Sequence, residues 1–92
     1  MHIGLLRVEL YLPGNQSLKG KRHILKSIKD RVRKLNISIA EIEYQDSWQQ
    51  AVLASVTVSS DHDIVHQTLM QVVKLIAGEP NCEITNQQIE ML

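Results

Sequence analysis

The 92-residue sequence has no phenylalanine, one tryptophan and two tyrosines. Its interior must therefore be assembled from Ile, Leu and Val, which leaves Tyr11, Tyr44 and Trp48 conspicuous as large groups available for other work. There is one cysteine, Cys82, so no internal disulfide can form, a usage that fits a reducing compartment. Apolar runs fall far short of a bilayer span, and Met1 to Leu6 reaches Arg7 without an apolar stretch of leader length. A cytoplasmic protein with no membrane association is expected. Gly-rich phosphate loops, a Cys and His pairing and a G-x-S-x-G elbow are all missing, so no enzymatic activity and no cofactor are expected. Low-complexity tracts, linkers and internal repeats are missing too, and residues 1–92 read as a single domain with one modest core.

Charge is present in an uneven distribution that the net value of zero conceals. The first 35 residues carry nine basic groups against Glu9 and Asp30, and the remainder carries Lys74 against eight acids, so the halves stand at +7 and −7. Eight of the ten basic residues fall within residues 17–35, SLKGKRHILKSIKDRVRKL. Ser17 is a helix N-cap there. Leu18, Leu25, Ile28, Val32 and Leu35, widened by Ile24, form one apolar stripe at helical spacing. Lys19, Arg22, Lys26, Lys29 and Arg33 form a second stripe rotated roughly 130° from it, and Lys21, Arg31 and Lys34 are read as broadening that basic surface. Asn36, which tolerates the left-handed conformation, closes the helix.

Residues 3–12 alternate, with Leu6, Val8, Leu10 and Leu12 on one face and Arg7, Glu9 and Tyr11 on the other, as in a half-buried strand. Pro13-Gly14-Asn15-Gln16 turns the chain into the basic helix. Residues 37–44 read as a second strand with Ala40, Ile42 and Tyr44 on one face and Glu41 and Glu43 on the other. Residues 51–59 form a third, alternating Val52, Ala54, Val56 and Val58 with Leu53, Ser55 and Thr57. Asp61 caps a second helix carrying Ile64, Val65, Thr68, Leu69, Val72, Val73 and Ile76, which Gly78, Glu79 and Pro80 end. Residues 82–89 form a last strand. The order β-α-β-β-α-β predicts an α+β, ferredoxin-like split βαβ domain: a four-stranded antiparallel sheet with two helices on one face and the other face open.

Gln16-Ser17-Leu18-Lys19-x-Lys21-Arg22, then Ala40-Glu41-Ile42-Glu43-Tyr44-Gln45-Asp46-x-Trp48-Gln49, then Val58-Ser59-Ser60, resemble the YlxP-like family of small bacterial proteins of unknown function, in order and across nearly the whole chain. The resemblance implies a ferredoxin-like domain, and genes of that family commonly lie beside translation-initiation and ribosome-maturation genes. Two departures matter. Gly20 stands where the family usually has Glu, removing half of a capping box and inserting a poor helix former at a cost of about 1 kcal/mol. The stretch Thr85-Asn86-Gln87-Gln88-Ile89-Glu90 is longer by a residue or two, which bears on the register of the last strand.

For function, Lys19, Lys21, Arg22, Lys26, Lys29 and Arg33 are the candidate nucleic-acid contacts, with RNA or a ribonucleoprotein as partner. The competing readings are plain solvation of a helix that covers a sheet and an acidic protein partner. No RNP1 motif occurs, and Glu9, Glu41 and Glu43 are placed on the open sheet face, where they would repel phosphate. Tyr44, Asp46, Trp48 and Gln49 are a second candidate, for base stacking or for a partner, set against the bland alternative that Trp48 covers the end of a core without Phe. A homodimer or protein interface on the open face is a further reading, motivated by Leu53 and Tyr11 as apolar groups on a wet face. His62-Asp63-x-x-His66 has the spacing of two metal ligands on a helix but lacks a third, so no metal site is assigned.

Overall fold

The alternation of Leu6, Val8, Leu10 and Leu12 with Arg7, Glu9 and Tyr11 has the period of an extended chain with one face buried. In the computed structural model, which describes residues Met1–Leu92, this segment is β1 (His2–Tyr11). It is followed by α1 (Leu18–Arg33), β2 (Ser38–Glu43), β3 (Gln50–Ser59), α2 (His62–Ala77) and β4 (Glu83–Met91). The strands pair antiparallel in the order β2-β3-β1-β4, with both helices packed on one face, and this is the ferredoxin-like α+β fold.

Each helix begins on a satisfied cap. Ser17 Oγ accepts from the Gly20 amide at 2.9 Å and the Asp61 carboxylate accepts from the Asp63 amide at 2.8 Å, contributions of about 1 kcal/mol apiece. Asn36 adopts φ +56° at the exit from α1, the left-handed geometry its short amide side chain tolerates. The core is wholly aliphatic apart from Cys82. Leu6, Val8, Leu10 and Leu12 meet Leu25, Ile28 and Val32 of α1 and Val65, Leu69, Val72 and Ile76 of α2. Gly4 lies where α2 rests on the backbone of β1; a β-carbon there would come within 2.5 Å of Val65 Cγ1 and 2.8 Å of Leu69 Cδ1.

The alternation of β3 is as predicted, but its faces are the reverse of those inferred. Leu53 pairs with Val8 and Ala51 with Leu10, so Leu53 lies in the core and not on a wet surface. The open face instead carries Val52, Ala54, Val56 and Val58, of which Val56 and Val58 are 42% and 59% exposed. A period of two groups residues by face without saying which face is covered; pairing with β1 decides that. Tyr11 does lie exposed on the open side.

Glu41 and Glu43 do not share a face. Glu41 pairs with Leu53 and Glu43 with Val52, which leaves Ile42 as an extra residue in a β-bulge. Glu41 thus turns to the helix side and Glu43 to the open side. There Arg7 reaches Glu9 at 2.7 Å and Glu43 at 2.5 Å, spanning buried Val52, which pairs with both acids. The two carboxylates hold the Arg7 guanidinium above its already high ordinary value, chiefly through the hydrogen bond to Glu9. A second bulge sets the register of β4: Asn86 pairs with Glu9 and Ile84 with Leu10, and the extra Thr85 donates to the Glu9 carbonyl at 3.2 Å.

Candidate nucleic-acid interface

The two stripes of α1 separate as their spacing dictates, with one correction. Lys21 is 2% exposed and is no part of the basic surface. Counted in fours and threes it falls with Leu25, Ile28 and Val32, in the middle of the apolar stripe, a signal present in the sequence but masked by its charge. Its ammonium lies 2.9 Å from Glu41 Oε2 and donates to the Tyr44 carbonyl at 2.5 Å. The contact with Glu41 is ionic and not an aligned hydrogen bond, so Oε2 is left without one. Glu41, expected on the open face, is the counter-charge of a lysine buried against the sheet.

Lys19, Arg22, Lys26 and Arg33 are exposed and Lys29 is half-buried, all on the outer side of α1. Arg22 and Lys26 are shared by two adjoining depressions. One, of about 710 Å³, runs over Asn15, Ser17, Lys19, Gly20 and His23 at the start of the helix. The other, of about 320 Å³, continues along Lys29, Arg33 and Glu41 towards the β2 edge. Lys19 and Arg33 are 14 residues apart on the helix, a span of about 21 Å at 1.5 Å per residue. On the helix itself Asp30 interrupts the positive charge, and from β2 Glu41, the partner of Lys21, enters the second depression. Asp30 bonds Lys26 at 2.7 Å and lies 3.8 Å from Arg33, and the Lys26 hydrogen bond holds its carboxyl below the usual carboxylate range. Lys19, Arg22, Lys29 and Lys34 make no ion pair. Arg31 turns away to Glu79 at 2.6 Å, beside Cys82, whose thiol is pushed up to about 11 by burial and by the Glu79 charge.

Residues 44–49, between β2 and β3, form a second feature beside this surface. Trp48 is 53% exposed and Tyr44 50%, so the tryptophan does not cover the core. The aliphatic core closes without it, since the alternating Leu, Ile and Val of four strands and two helices already fill the interior. The loop is tied down by its backbone. Leu12 N donates to Gln49 O at 2.8 Å, Gln49 Nε2 to Asn15 O at 3.2 Å, and Asn15 Nδ2 to Trp48 O at 2.5 Å and Ser17 O at 2.9 Å. Gln49 is therefore a tether, Asp46 an exposed turn residue, and Asn15, which reads in sequence only as a turn former, is the joint between loop and helix. Gly20 gains a reason here: a β-carbon at that position would run into Asn15 Oδ1. The glycine that costs helix propensity makes room for the asparagine that holds the loop.

No three His, Cys, Asp or Glu side chains come together as a metal site would need. His62 contacts Asp63 at 3.4 Å and meets the His2 ring edge-on at 5.7 Å, while His66 lies one turn further along α2. No helix is long and apolar enough to cross a membrane.

Three comparisons bear on identity. The family model described as "Protein of unknown function (DUF503)" matches residues 3–89. The Bacillus subtilis (strain 168) protein described as "Uncharacterized protein YlxP" is 39% identical over 84 residues, covering 90% of this chain and 91% of that one. Among solved structures, the structural-genomics protein YJCS matches with a TM-score of 0.60 at 10% identity over 96% of both chains. The designed protein Foldit4 matches at 0.59 and 8% identity over 100% and 97%. SnoaB, a cofactor-independent oxygenase from Streptomyces nogalater, matches at 0.53 and 10% identity over 99% and 90%. Likeness at these identities is a likeness of fold alone.

Proposed function

The chain belongs to the DUF503 family of proteins of unknown function, and from that premise and the geometry of α1 we propose that it binds structured RNA or a ribonucleoprotein, in an accessory, non-catalytic role near translation or ribosome assembly in the cytoplasm. One observation carries this reading: Lys19, Arg22, Lys26, Lys29 and Arg33 line adjoining depressions over one continuous side of α1, where the acids are Asp30, paired with Lys26, and Glu41, paired with buried Lys21. A stripe of cations exposed for about 21 Å meets a phosphate backbone by counterion release, a driving force that needs no base-specific contact. The open face does not compete for this role. Its acids Glu9 and Glu43 are bound to Arg7, and Glu41 is turned to the other side.

The test is a titration of the purified chain against ribosomal RNA fragments and ribosomal subunits at two salt concentrations. Five phosphate contacts give a slope of log K against log salt of about −3.5 to −4.5, so binding weakens roughly 100- to 500-fold between 50 and 200 mM salt. Arg22→Ala with Lys29→Ala, positions that make no ion pair, should weaken binding and flatten the slope by about 1.4 to 1.8. An absence of binding at low salt, or a slope that this pair of changes leaves untouched, would refute the assignment.

A second reading has its own observation. Val56 and Val58, with Ile3 and Leu5 beside them in register, leave an apolar strip on the open face, which favours self-association. Light scattering after size exclusion across a concentration series tests it, and a monomer at every concentration would exclude it.

A further inference from the structure

In a chain whose core is built without Phe, the single tryptophan would be the obvious large group to bury, yet Trp48 stands about half in solvent on a loop held still from behind. Its carbonyl is bound by Asn15, the next residue's carbonyl by the Leu12 amide, and the first residue of the loop by the buried ammonium of Lys21. Tyr44 keeps φ +63°, a conformation that costs a β-carbon-bearing residue roughly 1 kcal/mol and persists only where the surroundings impose it. The backbone is fixed, and about half of the indole is open to solvent. The same Asn15 that grips the Trp48 carbonyl lines the larger basic depression with Lys19, Gly20, Arg22 and Lys26, so the backbone that carries the ring is joined through one side chain to a row of cations.

We propose that Trp48 is a base-stacking platform and that the ligand it receives is a single-stranded RNA segment, whose phosphates run along the first turns of α1 over Lys19, Arg22 and Lys26. This rests on the RNA reading above and sharpens it. An indole face accepts any base, because every base presents a π surface, while a neighbouring cationic groove tracks the backbone; together they make a sequence-tolerant single-strand site. A duplex keeps its bases stacked on one another and has none to offer the ring, so it meets only the cations. The tethers from Asn15, Leu12 and Lys21 supply preorganisation: the loop loses little freedom when a base settles on it.

Because the chain has one tryptophan, emission excited at the red edge of the absorption band, where its two tyrosines do not absorb, reports on this position alone. The full chain is titrated at low salt with an oligoadenylate and, separately, with an RNA duplex carrying the same number of phosphates. The single strand is expected to change the tryptophan emission on binding and the duplex to leave it unchanged. Trp48→Ala should weaken oligoadenylate binding about tenfold without altering the salt slope, and Trp48→Phe should restore most of the affinity. Circular dichroism confirms that each variant is folded, as an exposed position leads one to expect. Oligoadenylate binding with unmoved emission, or with affinity indifferent to Trp48→Ala, overturns the platform while leaving the α1 surface standing, provided Arg22→Ala with Lys29→Ala still weakens it. No binding of either RNA overturns both.

Discussion

Lys21→Met separates a buried tether from a phosphate contact. The lysine is 2% exposed, its ammonium lies 2.9 Å from Glu41, and it donates to the Tyr44 carbonyl at 2.5 Å. Methionine keeps most of the aliphatic stem that packs among Leu25 and Ile28, so the change removes the charge with little loss of volume. Removing one member of a buried pair costs about 3–5 kcal/mol, mostly by leaving the other charge uncompensated. Glu41 keeps 18% of its side chain in solvent and recovers part of its hydration, which places the expected loss nearer 2–3 kcal/mol. With a urea m-value of about 1 kcal/mol/M for a domain this small, the unfolding midpoint should fall by about 2–3 M, a large share of a total stability of about 5–15 kcal/mol. Adding Glu41→Gln to Lys21→Met removes the stranded charge and should recover more than half of the loss. Urea titration followed by circular dichroism measures all three proteins. RNA titration in the range where the single variant is folded should give the salt slope of the unaltered protein. An unchanged midpoint together with a shallower salt slope would refute the reasoning and return Lys21 to the phosphate-binding stripe.

Three further outcomes follow from particular contacts. Gly4→Ala places a methyl group against Val65 and Leu69 and should cost about 1–3 kcal/mol by overpacking, lowering Tm by about 4–8 °C per kcal/mol; an unchanged melting curve would show that α2 yields freely. Cys82, its thiol raised to about 11 mainly by burial, should react far more slowly with a thiol reagent at mild alkaline pH when native than when unfolded in urea. The unfolded thiol ionises first, so the contribution of this site to stability is complete below the unfolded value of about 8.5 and is lost as pH rises towards the folded one; Cys82→Ala should flatten that alkaline decline. Asp30 has the opposite sign: its carboxyl is held low by Lys26, so its contribution is present above the ordinary carboxylate range and disappears as pH falls through the depressed value. A side-chain NMR titration should find Asp30 below the usual range and, in Lys26→Ala, returned towards it.

Much of this protein is decided within a few residues of chain. Alternation in residues 3–12 and 51–59, the three-and-four spacing of both helices, the caps at Ser17 and Asp61 and the left-handed turn at Asn36 are properties of local geometry, and the element order that follows admits the ferredoxin-like sheet. The outward stripe of Lys19, Arg22, Lys26, Lys29 and Arg33 is equally local, because a helix of known period places its own residues. Lys21 was readable on the same grounds. Its spacing to Leu25, Ile28 and Val32 puts it among core residues, and charge alone argued otherwise.

The rest needed partners distant in sequence. Which side of β3 is covered depends on Leu53 standing opposite Val8, a pairing no periodicity within either strand contains. One additional residue at Ile42 sends Glu41 to Lys21 and Glu43 to Arg7, because each inserted residue in a strand reverses the face of everything beyond it. Trp48 is exposed because aliphatic side chains from all six elements close the core without it, and its loop is fixed because Asn15, 33 residues earlier, reaches its carbonyl through the space Gly20 leaves. Sequence by itself determined the elements, the grouping of residues by face in β1 and β3 and the basic stripe, since these follow from backbone geometry repeated over short distances. Tertiary structure alone decided which faces are wet, which charges are paired and where the half-exposed indole stands, since burial and counter-charge are supplied by whatever the fold brings alongside.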